Sequence, residues 1–148
     1  GYPPHLDLER EAALQKAVIE LIQLGMVESV HDCSDGGLAV ALAEKTFAKG
    51  IGARVNLASG GLPAEFVLFG EDASRILLSC DAGKVEGIQR VAGKFGVAAD
   101  VIGETGSDRV EISLDGAVVV SAAVGELSGD YEGALEAALR AESVAVEA

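Results

Sequence analysis

The sequence predicts an α+β domain, a mixed and largely antiparallel sheet with helices packed on it. Three observations carry that prediction. The first half alternates helix and strand, the second half runs helix, strand, strand, strand, and Asp115-Gly116 sits between two apolar runs as a tight hairpin turn. A hairpin forces antiparallel neighbours, so the chain does not read as a cleanly wound parallel sheet. No internal repeat or low-complexity linker interrupts it, and residues 1–148 read as one domain.

Each element has a local reason. Leu8, Ala12, Leu14, Val18, Leu21, Ile22 and Leu24 follow helical spacing, with Asp7 as N-cap, Glu9 and Glu11 in the first turn, and Gly25 as the stop. Residues 28–33 form a short buried strand. A second helix runs from Gly37 to Lys49 and ends at Gly50, its many alanines implying close packing on a sheet. Ile51 to Leu57 alternates as a strand with one solvent face, Ser59 to Pro63 is a loop, and Ala64 to Phe69 makes one or two helical turns. Gly70 to Ser74 turns the chain into the strand Arg75 to Cys80. Lys84 to Phe95 is amphipathic and stops at Gly96; Val97 to Ile102 then reads as a strand. Arg109 to Leu114 alternates most clearly of all, and the hairpin returns it through Val118 to Val120. Ala123 to Leu127 looks helical, Tyr131 to Arg140 forms a short last helix, and the tail from Ala141 to Ala148 is expected to fray.

The chemistry concentrates in Val30-His31-Asp32-Cys33-Ser34-Asp35-Gly36-Gly37-Leu38, where a strand passes through a polar, glycine-containing turn into a helix. Ser34 or Asp35 can cap that helix, and Gly36 and Gly37 let the backbone bend. Free N–H groups at the helix start, with the positive end of its dipole, suit a phosphate oxygen. Asp32 and Asp35 at the same mouth would repel an anion unless a cation stood between, and hard oxygen ligands of this kind suit Mg²⁺. One reading is therefore a Mg²⁺-phosphate edge, with the cation between the Asp32 and Asp35 carboxylates and a phosphate held at the helix start that Gly36 and Gly37 open. The other is a well-capped helix whose aspartates satisfy backbone donors. Glu71 and Asp72 divide the same way, as metal ligands or as surface turn carboxylates.

Composition excludes several classes. Twenty-four acidic residues against eleven basic ones give a net charge of −13, a field that repels polyanions and argues against nucleic-acid binding. It also means that a phosphate would be held only by backbone N–H groups, a bridging cation or basic groups from elsewhere, as in a site completed by another domain. Hydrophobic residues at 49% argue against disorder, no apolar run is long enough to span a membrane, and no signal-peptide pattern is present. Cys33 and Cys80 make neither a disulfide framework nor a metal cluster, so both are expected to be reduced and the compartment cytoplasmic. A Cys33–His31 nucleophile would need a close side-chain approach and an orienting third group. The opening Gly1-Tyr2-Pro3-Pro4 reads as a segment of a longer protein.

His31-Asp32-x-Ser34-Asp35-Gly36-Gly37-Leu38-Ala39-Val40-Ala41-Leu42-Ala43-Glu44 resembles the C-terminal domain of the synthetase subunit of phosphoribosylformylglycinamidine synthase. Pro3-Pro4-His5-Leu6-Asp7-Leu8-Glu9 upstream and Phe69-Gly70-Glu71-Asp72-Ala73-Ser74-Arg75 downstream extend the likeness in the same order. The resemblance implies the fold of the C-terminal domain of aminoimidazole ribonucleotide synthetase. It also implies an ATP-dependent ligase of purine biosynthesis, with ATP or ADP and Mg²⁺ as cofactors. Its partners would be the remaining synthetase domains, a glutaminase subunit and a small bridging subunit. No catalytic residue of the family carries over to this stretch. In long-chain members the Asp and Ser of His-Asp-x-Ser touch the metal and nucleotide of an auxiliary ADP site, which matches Asp32 and Ser34; in short-chain members that site is lost or empty. Two alternatives remain from the sequence: a stand-alone ligand-binding or interaction module of the same fold, and a relative of the hydrogenase-maturation or thiamine phosphate kinase type.

Overall fold

The computed structural model describes residues 6–146, with side chains placed from Leu6 to Leu139. The elements are α1 (Leu8–Gln23), β1 (Ser29–Asp32), α2 (Gly37–Phe47), β2 (Ala53–Leu57), α3 (Ala64–Phe69), β3 (Ile76–Ser79), α4 (Val85–Lys94), β4 (Gly103–Thr105), β5 (Arg109–Leu114), β6 (Ala117–Ala123) and α5 (Val124–Val146). Asp7 caps α1 as the sequence predicts, accepting from the N–H groups of Glu9 and Arg10 at 3.0 Å.

The strands form two sheets. β1 and β3 make an antiparallel ribbon, and the other four lie in the order β4-β2-β5-β6. Within the larger sheet β2 runs parallel to β5, while β2–β4 and β5–β6 are antiparallel. The α+β class, with a mixed and mainly antiparallel pattern, stands; the division into ribbon and sheet is new. Its cause lies in period-two packing, since adjacent ribbon residues face opposite sides. Leu77 belongs to the core that α2 makes with the four-stranded sheet, whereas Leu78 packs on the core of Leu21, Ile88 and Val91 between α1 and α4. The ribbon is thus sandwiched, and it carries β1, with its polar exit loop, between two helical layers.

In the larger sheet the sequence alternation holds. Ala53, Val55 and Leu57 of β2 and Val110 and Ile112 of β5 point inward, and outward Arg54 pairs its register partner Glu111 at 3.1 Å. Asp115 and Gly116 make the predicted hairpin with positive φ values of 50° and 85°. The end of β2 pins that turn: Ser59 N–H donates to Asp115 Oδ1 at 3.0 Å and Gly116 N–H to Asn56 Oδ1 at 2.9 Å.

Two expected elements differ. Residues 97–102 do not pair as a strand; the ladder begins at Gly103. The alternation there records packing across two layers, Ala99 against the α1–α4 core and Ile102 against the main one. Gly103 then allows the close approach to β2, where a Cβ would stand 2.0 Å from the Arg54 carbonyl oxygen. At the C-terminus the two short helices are one, Val124–Val146, and the expected frayed tail is helical as far as Val146, with 147–148 outside the described residues. The break predicted at Ser128-Gly129-Asp130 is overridden by seating: Val124 and Leu127 lie in the core and Tyr131 packs on Phe47 with ring centroids 5.5 Å apart. Among the described residues no helix is long and apolar enough to cross a membrane.

Two carboxylates, half-buried Glu11 and exposed Asp115, tie parts of the fold together. The Ser74 hydroxyl and then the Gln15 amide hold Glu11 below its ordinary 4.5, and Ser59 holds Asp115 below 3.8. A carboxylate whose folded pKa is depressed stabilises the fold above its unfolded pKa, and that contribution is lost as pH falls through the folded value. The thermal midpoint is therefore expected to be level above pH 4.5 and to fall below it, with Glu11→Gln and Asp115→Asn each flattening the fall. Calorimetric melts at stepped pH check this.

Candidate functional site

β1 delivers the polar loop, and its ladder continues one residue further, Cys33 N–H donating to the Arg75 carbonyl at 3.0 Å. Cys33 is buried, while Asp32, Ser34 and Asp35 are exposed. Gly37 N–H donates to the Ser34 carbonyl at 3.0 Å and closes the turn. Gly36 and Gly37 take φ values of +79° and +68°, a conformation that side chains disfavour. Gly37 also lies against the end of α3, where a Cβ would stand 2.8 Å from the Gly70 carbonyl oxygen.

The cap of α2 is not the one expected from the sequence. Neither Ser34 nor Asp35 caps it; Gly36 N–H donates instead to Glu71 Oε1 at 2.9 Å. The consecutive left-handed glycines turn the chain so that a carboxylate 35 residues away reaches the helix start. Glu71 thus reaches the helix start from a distant turn, and the bond joins the two motifs that the sequence holds apart. The segment bearing Glu71 is fastened twice more. Ser74 Oγ donates to Glu11 Oε2 of α1 at 2.6 Å, and Arg75 Nη1 donates to the Gly70 carbonyl at 3.4 Å. No spacing rule in one sequence links Gly36 to Glu71, which is why the pairing escaped it. Glu71→Ala is expected to cost about 1 kcal/mol, the usual worth of an N-cap, and to lower the thermal midpoint by about 2–4 °C. Differential scanning calorimetry reads that shift.

Beneath the loop, His31 serves as a tie. Its Nδ1 lies 2.6 Å from the Asp32 carbonyl oxygen and its Nε2 3.2 Å from Glu44 Oε2 on α2. The same Glu44 carboxylate lies near Tyr131 and pushes its phenol up. β1, α2 and α5 thus meet at one carboxylate. Burial pushes the Cys33 thiol up, so at neutral pH it is the protonated, unreactive form. With both His31 nitrogens engaged by oxygens, the geometry makes no cysteine nucleophile here. Lys45 lies below, donating to Ser29 Oγ at 2.6 Å and to the Leu77 carbonyl at 3.4 Å, its pKa lowered by burial.

The Asp32 carboxylate is 73% exposed, and its neighbour His31 keeps Nδ1 3.9 Å from Oδ1. Among the described residues no group of three His, Cys, Asp or Glu side chains could hold a metal ion. Asp32 therefore offers one hard oxygen ligand, a donor set that fits Mg²⁺ when substrate phosphates and waters fill the remaining positions. Asp32 and Ser34 thus stand on an exposed loop whose base is clamped by Glu71 and the β1–β3 ladder.

The comparisons with known proteins place this two-layered α+β domain in a known family. Residues 2–115 match the family described as AIR synthase related protein, C-terminal domain, and the chain belongs to that family. It is 42% identical over 131 residues to phosphoribosylformylglycinamidine synthase subunit PurL of Moorella thermoacetica, covering 88% of this chain and 18% of that relative. To the subunit of the same name in Thermus thermophilus it is 40% identical, covering 80% of this chain and 16% of that one. The chain therefore spans less than a fifth of the length of these relatives. Among solved structures, phosphoribosylformylglycinamidine synthase II of Thermotoga maritima superposes with a TM-score of 0.76 at 23% identity, over 84% of this chain and 22% of that one. Other structures of the Thermotoga protein hold FGAR or ADP. The hydrogenase maturation protein HypE shares the fold at a TM-score of 0.54 and 16% identity, over 71% of this chain and 40% of that one.

Proposed function

We propose that residues 1–148 are one domain, the C-terminal domain of a phosphoribosylformylglycinamidine synthase synthetase subunit, which frames a nucleotide or substrate cleft and has no activity alone. The observation that carries this reading is the 42% identity to the Moorella subunit along 88% of the chain. The reaction joins formylglycinamide ribonucleotide and glutamine-derived ammonia at the expense of ATP, giving the amidine, ADP and phosphate. No residue of this domain is assigned to bond making.

Their role is to hold. Asp32 would contact Mg²⁺, which screens phosphate charge when bound. Ser34, with the backbone at Gly36 and Gly37, would line the nucleotide. Because Glu71 already occupies the Gly36 N–H, the first phosphate contacts fall to Ser34 and the metal, and the remaining positive charge must come from another domain. The other synthetase domains, a glutaminase subunit and a small bridging subunit are the proposed partners, and the cytoplasm the proposed compartment.

A chimera tests the reading. The Moorella subunit with its matched region replaced by this chain is expected to form ADP and amidine from FGAR, ATP and ammonia; a folded chimera without that activity overturns the proposal. In the active chimera, Asp32→Asn is expected to weaken Mg²⁺·ADP binding by about tenfold, the scale of losing one charged ligand. Titration calorimetry measures it, and unchanged affinity would remove Asp32 from the metal.

A further inference from the structure

The segment leading into the turn that clamps the loop carries an apolar ridge that the domain leaves uncovered. Phe66 and Phe69, three apart on α3, share one helical face, and Leu62 stands in the loop just before the helix; the three are 62%, 52% and 59% exposed. On the opposite side of α3, Leu68 is buried in the main core and Val67 packs against it, so the ridge is held outward by a fixed anchor. Glu65, Glu71 and Asp72 border it, all exposed. Two phenylalanines and a leucine on so short a segment are a concentrated apolar surface on a chain of charge −13.

Resting on the reading above, we propose that this ridge is the seat of the preceding part of the synthetase polypeptide, through an apolar pocket rimmed by lysine or arginine. Three observations choose that occupant. The relatives are long, this chain covering 18% and 16% of the two compared, so the reading supplies a large body in the same polypeptide. The acidic border selects a basic rim and sets acid against acid in any pairing of two copies. Position agrees as well. The end of α3 touches Gly37 and the following turn gives Glu71 to Gly36, so a body seated on Phe66 and Phe69 stands beside Asp32 and Ser34. Further basic groups for the rim at Asp32 and Ser34 would arrive with it.

Hydrogen exchange on the isolated chain and on the Moorella chimera tests this. Amides of residues 62–72 are expected to exchange about tenfold or more slowly in the chimera. Phe66→Glu should leave the melting of the isolated chain unchanged, since the ring is exposed, yet lower chimera activity about tenfold; Leu135→Glu, an equally exposed position on α5, should not. An active chimera whose residues 62–72 exchange as fast as in the isolated chain, or which tolerates Phe66→Glu, overturns the ridge proposal and leaves the function standing. Protection that grows with the concentration of the isolated chain would assign the ridge to a second copy and overturn it too. A folded but inactive chimera overturns the functional reading, and the ridge proposal with it.

Discussion

Gly37→Ala is expected to destabilise the domain by about 3 kcal/mol, while Gly93→Ala, the same added methyl, is expected to stabilise it by about 0.5–1 kcal/mol. At Gly37 two costs add. Its φ of +68° is a conformation in which a Cβ costs about 1–2 kcal/mol. The new atom would also stand 2.8 Å from the Gly70 oxygen and the Phe69 carbonyl carbon, and 3.0 Å from the Leu68 oxygen. These are backbone atoms, so no side chain can swing aside, and α2 must move off α3. Gly93 lies inside α4 with nothing within 4 Å of its added Cβ, so only the helix propensity changes. Urea unfolding of the two variants should move the midpoint in opposite directions. Equal behaviour would mean that the α2–α3 approach is looser than the structure has it. Moving α2 also strains the Gly36–Glu71 bond, so in the active chimera Gly37→Ala should weaken nucleotide binding as well as stability.

That coupling explains why the candidate site was only half legible in the sequence. Asp32, Ser34, Gly36 and Gly37 could be singled out because a strand, a polar glycine turn and a helix are contiguous, and the order of residues alone suggests a rim. Which group satisfies the helix start could not be read. The local candidates Ser34 and Asp35 obey every capping preference, yet two consecutive left-handed glycines turn the chain away from them and Glu71 takes the place. A contact across 35 residues is a property of tertiary packing, not of local propensity. The fold divides in the same way. Asp115-Gly116, Asp7 and the stops at Gly25, Gly50 and Gly96 act within a few residues and were legible. The alternation of 97–102 was also real, but it recorded which core each residue touches rather than a continuous ladder; only Ile102, next to the ladder, accepts from Asn56 of β2. The split into ribbon and sheet depends on Leu77 and Leu78 packing in different layers, and adjacent leucines carry no mark of that.

The second large effect is expected at Ile112, where Ile112→Ala should cost about 2–5 kcal/mol and Ile112→Val about 0.5–1.5 kcal/mol. Ile112 and Val110 are each 1% exposed and are the largest side chains wholly enclosed among the described residues. β5 is flanked by β2 on one side and β6 on the other, so its backbone is pinned by two ladders and cannot relax into a cavity. The loss should therefore lie in the upper part of the range. Since a domain has about 5–15 kcal/mol in total, the alanine variant is expected to be close to the threshold of folding. The valine variant keeps the protein measurable if alanine does not fold. The position also separates the two layers: Ile112 belongs to the core that includes Leu38, Leu42 and Leu77, whereas Ile88 belongs to the smaller α1–α4 core. If the sandwiched ribbon makes them one cooperative unit, Ile112→Val should lower the urea midpoint without changing the slope, whether tyrosine fluorescence or far-ultraviolet circular dichroism is followed. A changed slope, or two probes that disagree, would mean that the α1–α4 layer unfolds separately from the sheet that carries the site.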